Sequence, residues 1–374
     1  MENVLFVNHS RNLHGAENVM IFLIENVFRY QKENVHIAEP IRKQESAFRN
    51  YLSQKGYTKC VDFPYKNWGV SLFQSLIVII YNIYGLIKMI SYIKKENIKT
   101  IYSNTSIVCI GIIAARLTGI KHVWHFHEPV EKEHGWLKSL RGLYKILLRY
   151  ENNLVVFASQ TQYNQWKKEL PASFINAKVI YDPIKRIVRI DKQRSDDNLI
   201  FGYMGSRDKR KNIPFLLDVF AEFSKSYPEV KLVLAKNTGG DAEKIEQRIV
   251  ELDIGEKITE KQYDNAAEFY SEIDIFILPS LSETWGMVAL EAMSVKKAVI
   301  LTKNTGLQEF LTDDIDCCFI NPLDKTNLFA AMKKMHKRTF RIKTANAGYE
   351  KILSAEFNKK FITYFENLFE EKTL

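Results

Sequence analysis

The sequence predicts an α/β protein built from two Rossmann-like, doubly wound parallel-sheet domains facing a cleft. Three features predict it: a chain of 374 residues, short apolar runs that alternate with longer helical patterns, and a polar, charge-rich break over residues 189–198. A single hydrophobic core rarely grows past about 250–300 residues, so a chain of this length divides naturally in two. Strand then helix, repeated, is the pattern of a parallel sheet with helices on both faces.

In the first half, residues 4–7 read as a buried strand, 17–30 as a helix, 35–38 as a strand, 70–93 as a long apolar helix, 100–102 as a strand and 107–117 as a helix. Further strands fall at 122–126, 154–158 and 178–181, and the half closes near Asp182 and Pro183, where proline restricts the residue before it. Beyond the polar break, strands at 199–204, 231–234, 275–278 and 298–301 interleave with helices at 213–226, 242–252, 266–271 and 287–295. The domains are then 1–185 and 186–355, with 356–374 carrying an amphipathic helix that crosses back onto the first. Ligands of open parallel sheets bind beyond the carboxyl ends of the strands, so the chemistry is expected in strand-to-helix loops.

Hydrophobic residues at 46% and charged residues at 26% sit near globular averages, which predicts a chain folded nearly throughout. A formal charge of +9 favours an anionic partner: nucleotide phosphates, an anionic bilayer surface or nucleic acid. No zinc-finger spacing or RNA-recognition strand accompanies that charge, so nucleic acid is not expected. Cys60, Cys109, Cys317 and Cys318 show no Cys-x-x-Cys spacing, and the N-terminus has neither a basic leader nor a cleavage pattern. Both point to a cytoplasmic protein. The apolar stretch 70–93 is interrupted by Gln74, Asn82, Gly85 and Lys88 and falls short of the ~20 apolar residues of a bilayer span. It is expected as a buried or interfacial helix, and with the basic balance it suits a peripheral contact with the anionic inner face of the membrane.

The most informative stretch runs from Ile275 to Ile300. A buried strand ends at Pro279 and Ser280, an irregular loop carries Glu283, Trp285 and Gly286, and a helix opening at Met287 presents Glu291 on its second turn. Ionised carboxylates only accept hydrogen bonds, so one can take sugar hydroxyls and the other ribose hydroxyls. Amides at the helix start can face a pyrophosphate, where the helix dipole favours negative charge. A bland reading competes, with Glu291 a solvated helix residue and Glu283 a cap.

This stretch closely resembles the Glu-x7-Glu segment of the family 4 retaining glycosyltransferases, Pro-Ser-x-x-Glu-x-x-Gly-x-x-x-x-Glu-Ala. It stands here as Pro279, Ser280, Glu283, Gly286, Glu291 and Ala292. Asn304–Glu309 and Ile320–Asp324 resemble the family's next two loops, and landmarks are spread from residue 15 to residue 324. The resemblance implies the GT-B fold, a nucleotide-diphosphate sugar donor held by the second domain, a saccharide or lipid-linked acceptor at the first, and retention of anomeric configuration. It implies no metal and no cofactor. Glu283, Trp285, Gly286, Met287 and Glu291 are then donor-binding residues, Glu283 orienting the sugar and Glu291 the ribose.

Two further loops fit the same pattern. Gly205 to Asn212 carries four cations beside a helix start, suited to a departing pyrophosphate. The family usually has Gly-Arg and then a lysine five residues after the arginine. Lys211 matches that lysine, whereas Ser206 occupies the arginine position, which leaves open whether Arg207, one residue along, supplies the guanidinium. In the first domain, His14-Gly15-Ala16-Glu17 resembles the family's Gly-Gly-Ala-Glu with His14 for the first glycine, and Gly15 would let backbone amides approach a phosphate or sugar. Alternation along 122–126 puts His125 and His127 on one face. The family places a histidine at the end of this strand in the sugar site, and His127, followed by Glu128, is preferred over His125. Few carboxylates lie near these histidines in sequence, so a histidine metal site finds no support.

The implied mechanism is front-face transfer, in which a donor phosphate oxygen accepts the proton of the acceptor hydroxyl while Lys211 and Arg207 stabilise the leaving diphosphate. Polysaccharide assembly at the cell envelope or capsule is the implied setting. Paired domains of this kind also serve nucleotide-sugar epimerases and phosphorylases, and a non-catalytic nucleotide-sugar binder stays open as well. A dinucleotide-dependent dehydrogenase would need a Gly-x-Gly-x-x-Gly after a strand, and none is present.

Overall fold

The structure is a computed structural model and describes residues 1–66, 75–130, 135–185, 187, 198–236 and 240–370. The expected break at 189–198 lies outside the described residues except for Asn198, and so does the start of the expected helix 70–93. The chain forms two compact units, Met1–Pro183 with Phe357–Leu374, and Ile184–Glu356.

The first unit runs β1 (Val4–Val7), α1 (Gly15–Val27), β2 (Val35–Pro40), α2 (Ala47–Gln54), β3 (Cys60–Phe63), α3 (Ser75–Lys95), β4 (Thr100–Asn104), α4 (Cys109–Thr118), β5 (Lys121–Phe126), α5 (Gly135–Leu147), β6 (Asn153–Phe157), α6 (Gln160–Glu169) and β7 (Ala177–Val179). The second runs β8 (Ile200–Tyr203), α7 (Ile213–Ser226), β9 (Lys231–Ala235), α8 (Ala242–Glu251), β10 (Ile258–Lys261), α9 (Ala266–Glu272), β11 (Ile275–Leu278), α10 (Met287–Ser294), β12 (Ala298–Thr302), β13 (Cys318–Ile320), α11 (Lys325–His336) and α12 (Arg338–Ser354). Then α13 (Phe357–Phe369) belongs to the first unit.

The sheets have seven strands in the order β3-β2-β1-β4-β5-β6-β7 and six in the order β10-β9-β8-β11-β12-β13. Every strand pair is parallel. Both are doubly wound, as the alternation predicts. Strand order reverses between β1 and β4 in one sheet and between β8 and β11 in the other, which is where such sheets leave a crevice for a ligand.

Strands β1, β8 and β11 carry no charged residue and are buried at every position, because helices cover both faces. In α13 the aromatic rings at Phe357, Phe361, Phe365 and Phe369 recur every four residues and are all buried. Phe369 meets Phe6 and Phe28, and Phe361 and Phe365 pack against His125, so this helix roofs part of the first unit's core. The expected helix at 17–30 begins two residues earlier, at Gly15, and ends at Val27. Among the described residues, no helix is long and apolar enough to cross a membrane.

Candidate functional site

In the second unit the chain leaves β8, turns through Gly205 to Asp208 and makes a short 3-10 turn, Lys209–Lys211, before α7. Asn212 forms the join in the left-handed conformation at φ 55°. Its side-chain amide donates to the carbonyls of Pro279 (3.2 Å) and Pro322 (2.8 Å), tying this loop to the loops after β11 and β13. The Leu281 N–H donates to the Arg210 carbonyl (2.8 Å), and Arg210 Nη1 donates to the Ser282 carbonyl (3.1 Å).

These bonds set the side chains. Lys211 Nζ lies 2.6 Å from Glu283 Oε1, and Arg210 Nη1 lies 3.5 Å from Glu283 Oε2. The Glu283 N–H in turn donates to the Asn304 carbonyl (2.7 Å). Burial alone would push the Glu283 carboxyl up. The charges of Lys211 and then Arg210, with the Lys211 hydrogen bond, outweigh it and hold the group below the usual carboxylate range. Two cations thus share this one carboxylate. Close by in sequence, α10 starts after Gly286, whose φ of +88° favours glycine and where a Cβ would press to 3.2 Å from Leu307 Cδ1. Two clustered cations and a helix N-terminus together suit an anionic ligand.

The remaining residues singled out in this unit separate. Arg207 is buried, with Nη2 2.5 Å from Glu260 Oε1, so it is Arg210 and not Arg207 whose guanidinium reaches Glu283. Sequence reasoning counted Arg210 only among the loop's cations, because motif spacing says nothing of which way a turn throws each side chain. Ser206 Oγ donates to Asp208 (2.6 Å), and its carbonyl accepts from Tyr203 (2.8 Å). Trp285 is buried and Met287 half-buried at the first residue of α10. Glu291 lies with a carboxylate oxygen 3.3 Å from Tyr270 Oη. Burial pushes its carboxyl up to about 7, and the charge of Lys185 and the Tyr270 bond offset only part of this. At neutral pH it is therefore poised between acceptor and donor.

In the first unit, Gly15 is exposed in the first turn of α1. The motif's Glu17 is fully buried, accepting from the His14 N–H (3.2 Å) and meeting His9 Nδ1 at 3.0 Å, so it fastens the loop after β1. The loop after β5 is clamped more heavily. Glu128 Oε2 accepts from the Ser106 N–H and hydroxyl, both at 3.0 Å, and the Glu128 carbonyl accepts from Gln162 (3.0 Å) and Trp166 (3.2 Å). Thr105, beside it, holds a φ of 79°, a strained value for a β-branched residue.

That clamp presents His127 next to Asp182. His127 Nδ1 donates to Asp182 Oδ2 (3.3 Å), and His125 Nε2 lies 3.2 Å from Asp182 Oδ1. The two imidazoles are 4.0 Å apart between centroids, so both lie on one side of the strand end. Burial and the neighbouring His127 charge push His125 down to about 4, which leaves it neutral, with Tyr102 hydrogen-bonded to its Nδ1 (2.5 Å). For His127 burial pulls down, and the charge of Asp182 outweighs it and raises the group. Burial would raise Asp182, and the charges of His127 and His125 hold it far below the carboxylate range. The sparsity of carboxylates near the histidines is thus true of the sequence and untrue of the fold. Among the described residues, His125, His127 and Asp182 are the trio whose ligating atoms all come within 4.8 Å of one another and could share a metal ion. Within the trio, His127 Nδ1 and Asp182 Oδ2 already share a hydrogen bond. Sequence reasoning met Asp182 only as a domain boundary.

The two parallel-sheet units define the fold class of the GT-B glycosyltransferases: Anabaena HepE, solved in complex with UDP and glucose, superposes with a TM-score of 0.79 over 99% of this chain and 100% of its own at 18% identity. WaaG, a glycosyltransferase involved in lipopolysaccharide biosynthesis, does so with a TM-score of 0.73 over 98% and 100% at 12% identity. Residues 185–351 match the family model described as glycosyl transferases group 1. In sequence, the chain is 28% identical over 230 residues to an uncharacterised glycosyltransferase of Methanocaldococcus jannaschii, covering 59% of this chain and 60% of that protein. It is 27% identical over 146 residues to the mannosylfructose-phosphate synthase of Agrobacterium fabrum, covering 36% and 32%. It is also 25% identical over 162 residues to an O-antigen chain mannosyltransferase of Salmonella typhimurium, covering 42% and 44%. These matches span less than two thirds of each relative's length.

Proposed function

We propose that the protein is a family 4 retaining glycosyltransferase that moves a sugar from a nucleotide-diphosphate sugar to a saccharide or lipid-linked acceptor in polysaccharide synthesis. The observation that carries this reading is the pairing of Lys211 and Arg210 with Glu283 at the carboxyl ends of β8 and β11, inside the stretch that matches the group 1 model. The diphosphate binds against these two cations. Its arrival draws Lys211 and Arg210 toward phosphate oxygens and frees Glu283 to accept from sugar hydroxyls. Arg210 fills the role that the sequence leaves between Ser206 and Arg207. As the glycosidic bond breaks, charge accumulates on the diphosphate, and fixed cations stabilise that transition state more than the ground state. The phosphate oxygen takes the proton of the acceptor hydroxyl, so no protein nucleophile is needed. Glu291 binds the ribose, and His127 serves the sugar.

Calorimetry against uridine-, guanosine- and adenosine-diphosphate sugars, followed by turnover assays on the tightest donor, tests the reading. Saturable binding of one donor with slow hydrolysis, and transfer to a glycan acceptor with the anomeric configuration kept, is expected. Epimerisation of the donor sugar without any acceptor, or binding to none of them, would sink it.

For the acceptor we propose a membrane-surface setting. Helix α3 exposes Ile79, Ile80, Ile83, Tyr84 and Ile87 at helical spacing, and Lys88, Lys94 and Lys95 follow them toward its end. Lys88 lies over the Tyr84 ring at 4.6 Å. An apolar face bordered by cations suits the interface of an anionic bilayer. Co-sedimentation with vesicles containing phosphatidylglycerol is expected, with loss of binding on replacing Ile80, Ile83 and Ile87 by Ser. Equal sedimentation of the triple variant would remove this assignment.

A further inference from the structure

We propose that Asp182 is a positioning residue for His127, fixing the ring so that Nδ1–H faces the carboxylate and Nε2 is the atom turned to the substrate; this rests on the glycosyltransferase reading above. The carboxylate is buried, and it meets the two imidazoles through different oxygens: Oδ2 with His127 Nδ1 at 3.3 Å and Oδ1 with His125 Nε2 at 3.2 Å. His127 Nε2 is itself buried and has no hydrogen-bond partner among the described residues. A buried ring nitrogen without a partner is costly unless a ligand supplies one.

The proton placement follows from donor counting. An ionised carboxylate only accepts, so each imidazole turns an N–H to it. For His127 that N–H is on Nδ1. For His125 it is on Nε2, which leaves Nδ1 to accept from the Tyr102 hydroxyl, 2.5 Å away. When both rings are neutral, the two histidines, two residues apart, therefore hold opposite tautomers. Free imidazole favours Nε2–H, so His127 is the ring that Asp182 has to hold against its own preference. The other elements packed here do not undo this. His127's own N–H donates to Glu128 Oε2 (3.3 Å), which also serves Ser106, and Glu17 is engaged with His9. Phe361 and Phe365 of α13 pack on His125 and offer it no polar atom.

The test uses full-length protein labelled with 15N-histidine, in two-bond 1H–15N correlation spectra recorded above neutral pH, with His125→Gln and His127→Gln variants to assign the rings. The expected result is Nδ1–H for His127 and Nε2–H for His125. In Asp182→Asn, His127 is expected to shift toward Nε2–H. On the transfer assay kcat should then fall by about 10²-fold, as for a small misplacement of a working group, while donor Kd stays within about twofold. His127 found as Nε2–H in the wild type, or a tautomer and kcat unmoved by Asp182→Asn, overturns the proposal. Should the Asn variant fail to fold, the wild-type spectrum still decides it. The tautomers are read without turnover, so a failure of the glycosyltransferase reading shows as an absent reaction with the tautomers in place.

Discussion

Both units place a buried carboxylate among nitrogen partners beyond the carboxyl ends of a parallel sheet, and they use different partners. Glu283 sits between the ammonium of Lys211 and the guanidinium of Arg210. Asp182 sits between two imidazoles, His125 and His127, of which burial keeps one neutral. The first cluster gathers two cations on one carboxylate and suits an anion. The second carries direction, since an imidazole's use depends on which nitrogen bears the proton. One fold, used twice, thus supplies an electrostatic site and a hydrogen-bonding site by changing the residues on two loops.

The sharpest way to break that contrast is Lys211→Ala. If the second unit's cluster works through charge developed in the transition state, kcat should fall by about 10²–10³-fold with little change in donor KM. Glu291→Ala should do the reverse, raising donor KM and leaving kcat nearly intact. Steady-state kinetics with varied donor separates the two, and equal, negligible effects of both changes would erase the contrast.

How much of this was legible beforehand depends on the kind of signal. Central strands such as Val4–Val7 and Ile275–Leu278 announce themselves because helices bury both faces, so the sequence is apolar without interruption. Edge strands do not. Cys60–Phe63 includes an exposed Asp62 and Ile258–Lys261 has only half-buried and exposed positions, so neither pattern stands out from a loop. The same divide runs through the site. Lys211 and Glu283 were readable as motif positions, whereas their 2.6 Å contact depends on Asn212 and Leu281 stitching two loops together across the sheet. Asp182 showed only as a boundary, because its partners lie 55 and 57 residues earlier in the chain and meet it only when β5 and β7 join one sheet.

Glu291 supplies the next test, through pH. Its folded pKa of about 7 stands above the ordinary glutamate value of 4.5, so the folded state holds a proton that the unfolded chain has lost between those values. The stability this gives is full below about 4.5 and is lost as pH rises to about 7, up to about 3 kcal/mol in all. Wild type and Glu291→Gln should therefore diverge in urea midpoint between pH 5 and 7, with only the wild type falling on this account. Donor binding should run the other way, since ribose hydroxyls prefer the ionised carboxylate. Affinity should weaken up to about tenfold per unit below pH 7 in the wild type and stay flat in Glu291→Gln. Parallel pH profiles for the two proteins would show that burial, and not the ribose, explains this residue.

The smallest expected effect probes how each loop is held. The first unit's loop after β5 is clamped by side chains, Glu128, Gln162 and Trp166. The second unit's loop after β11, held by Asn212 and Arg210 from the loop after β8, also needs one special backbone position, Gly286 at φ +88° with a Cβ position only 3.2 Å from Leu307 Cδ1. A side chain in that conformation costs about 1–2 kcal/mol, and the close contact adds a little unless Leu307 shifts. Gly286→Ala should therefore lower the thermal midpoint of the second unit by roughly 2–6 °C while leaving the first unit's transition in place. Because Gly286 ends the loop that carries Glu283, donor affinity should weaken in the same variant. An Ala variant with unchanged melting and unchanged affinity would mean that the loop finds another backbone path to the same place, and that its shape is held by the stitches at Asn304 and Thr305 instead.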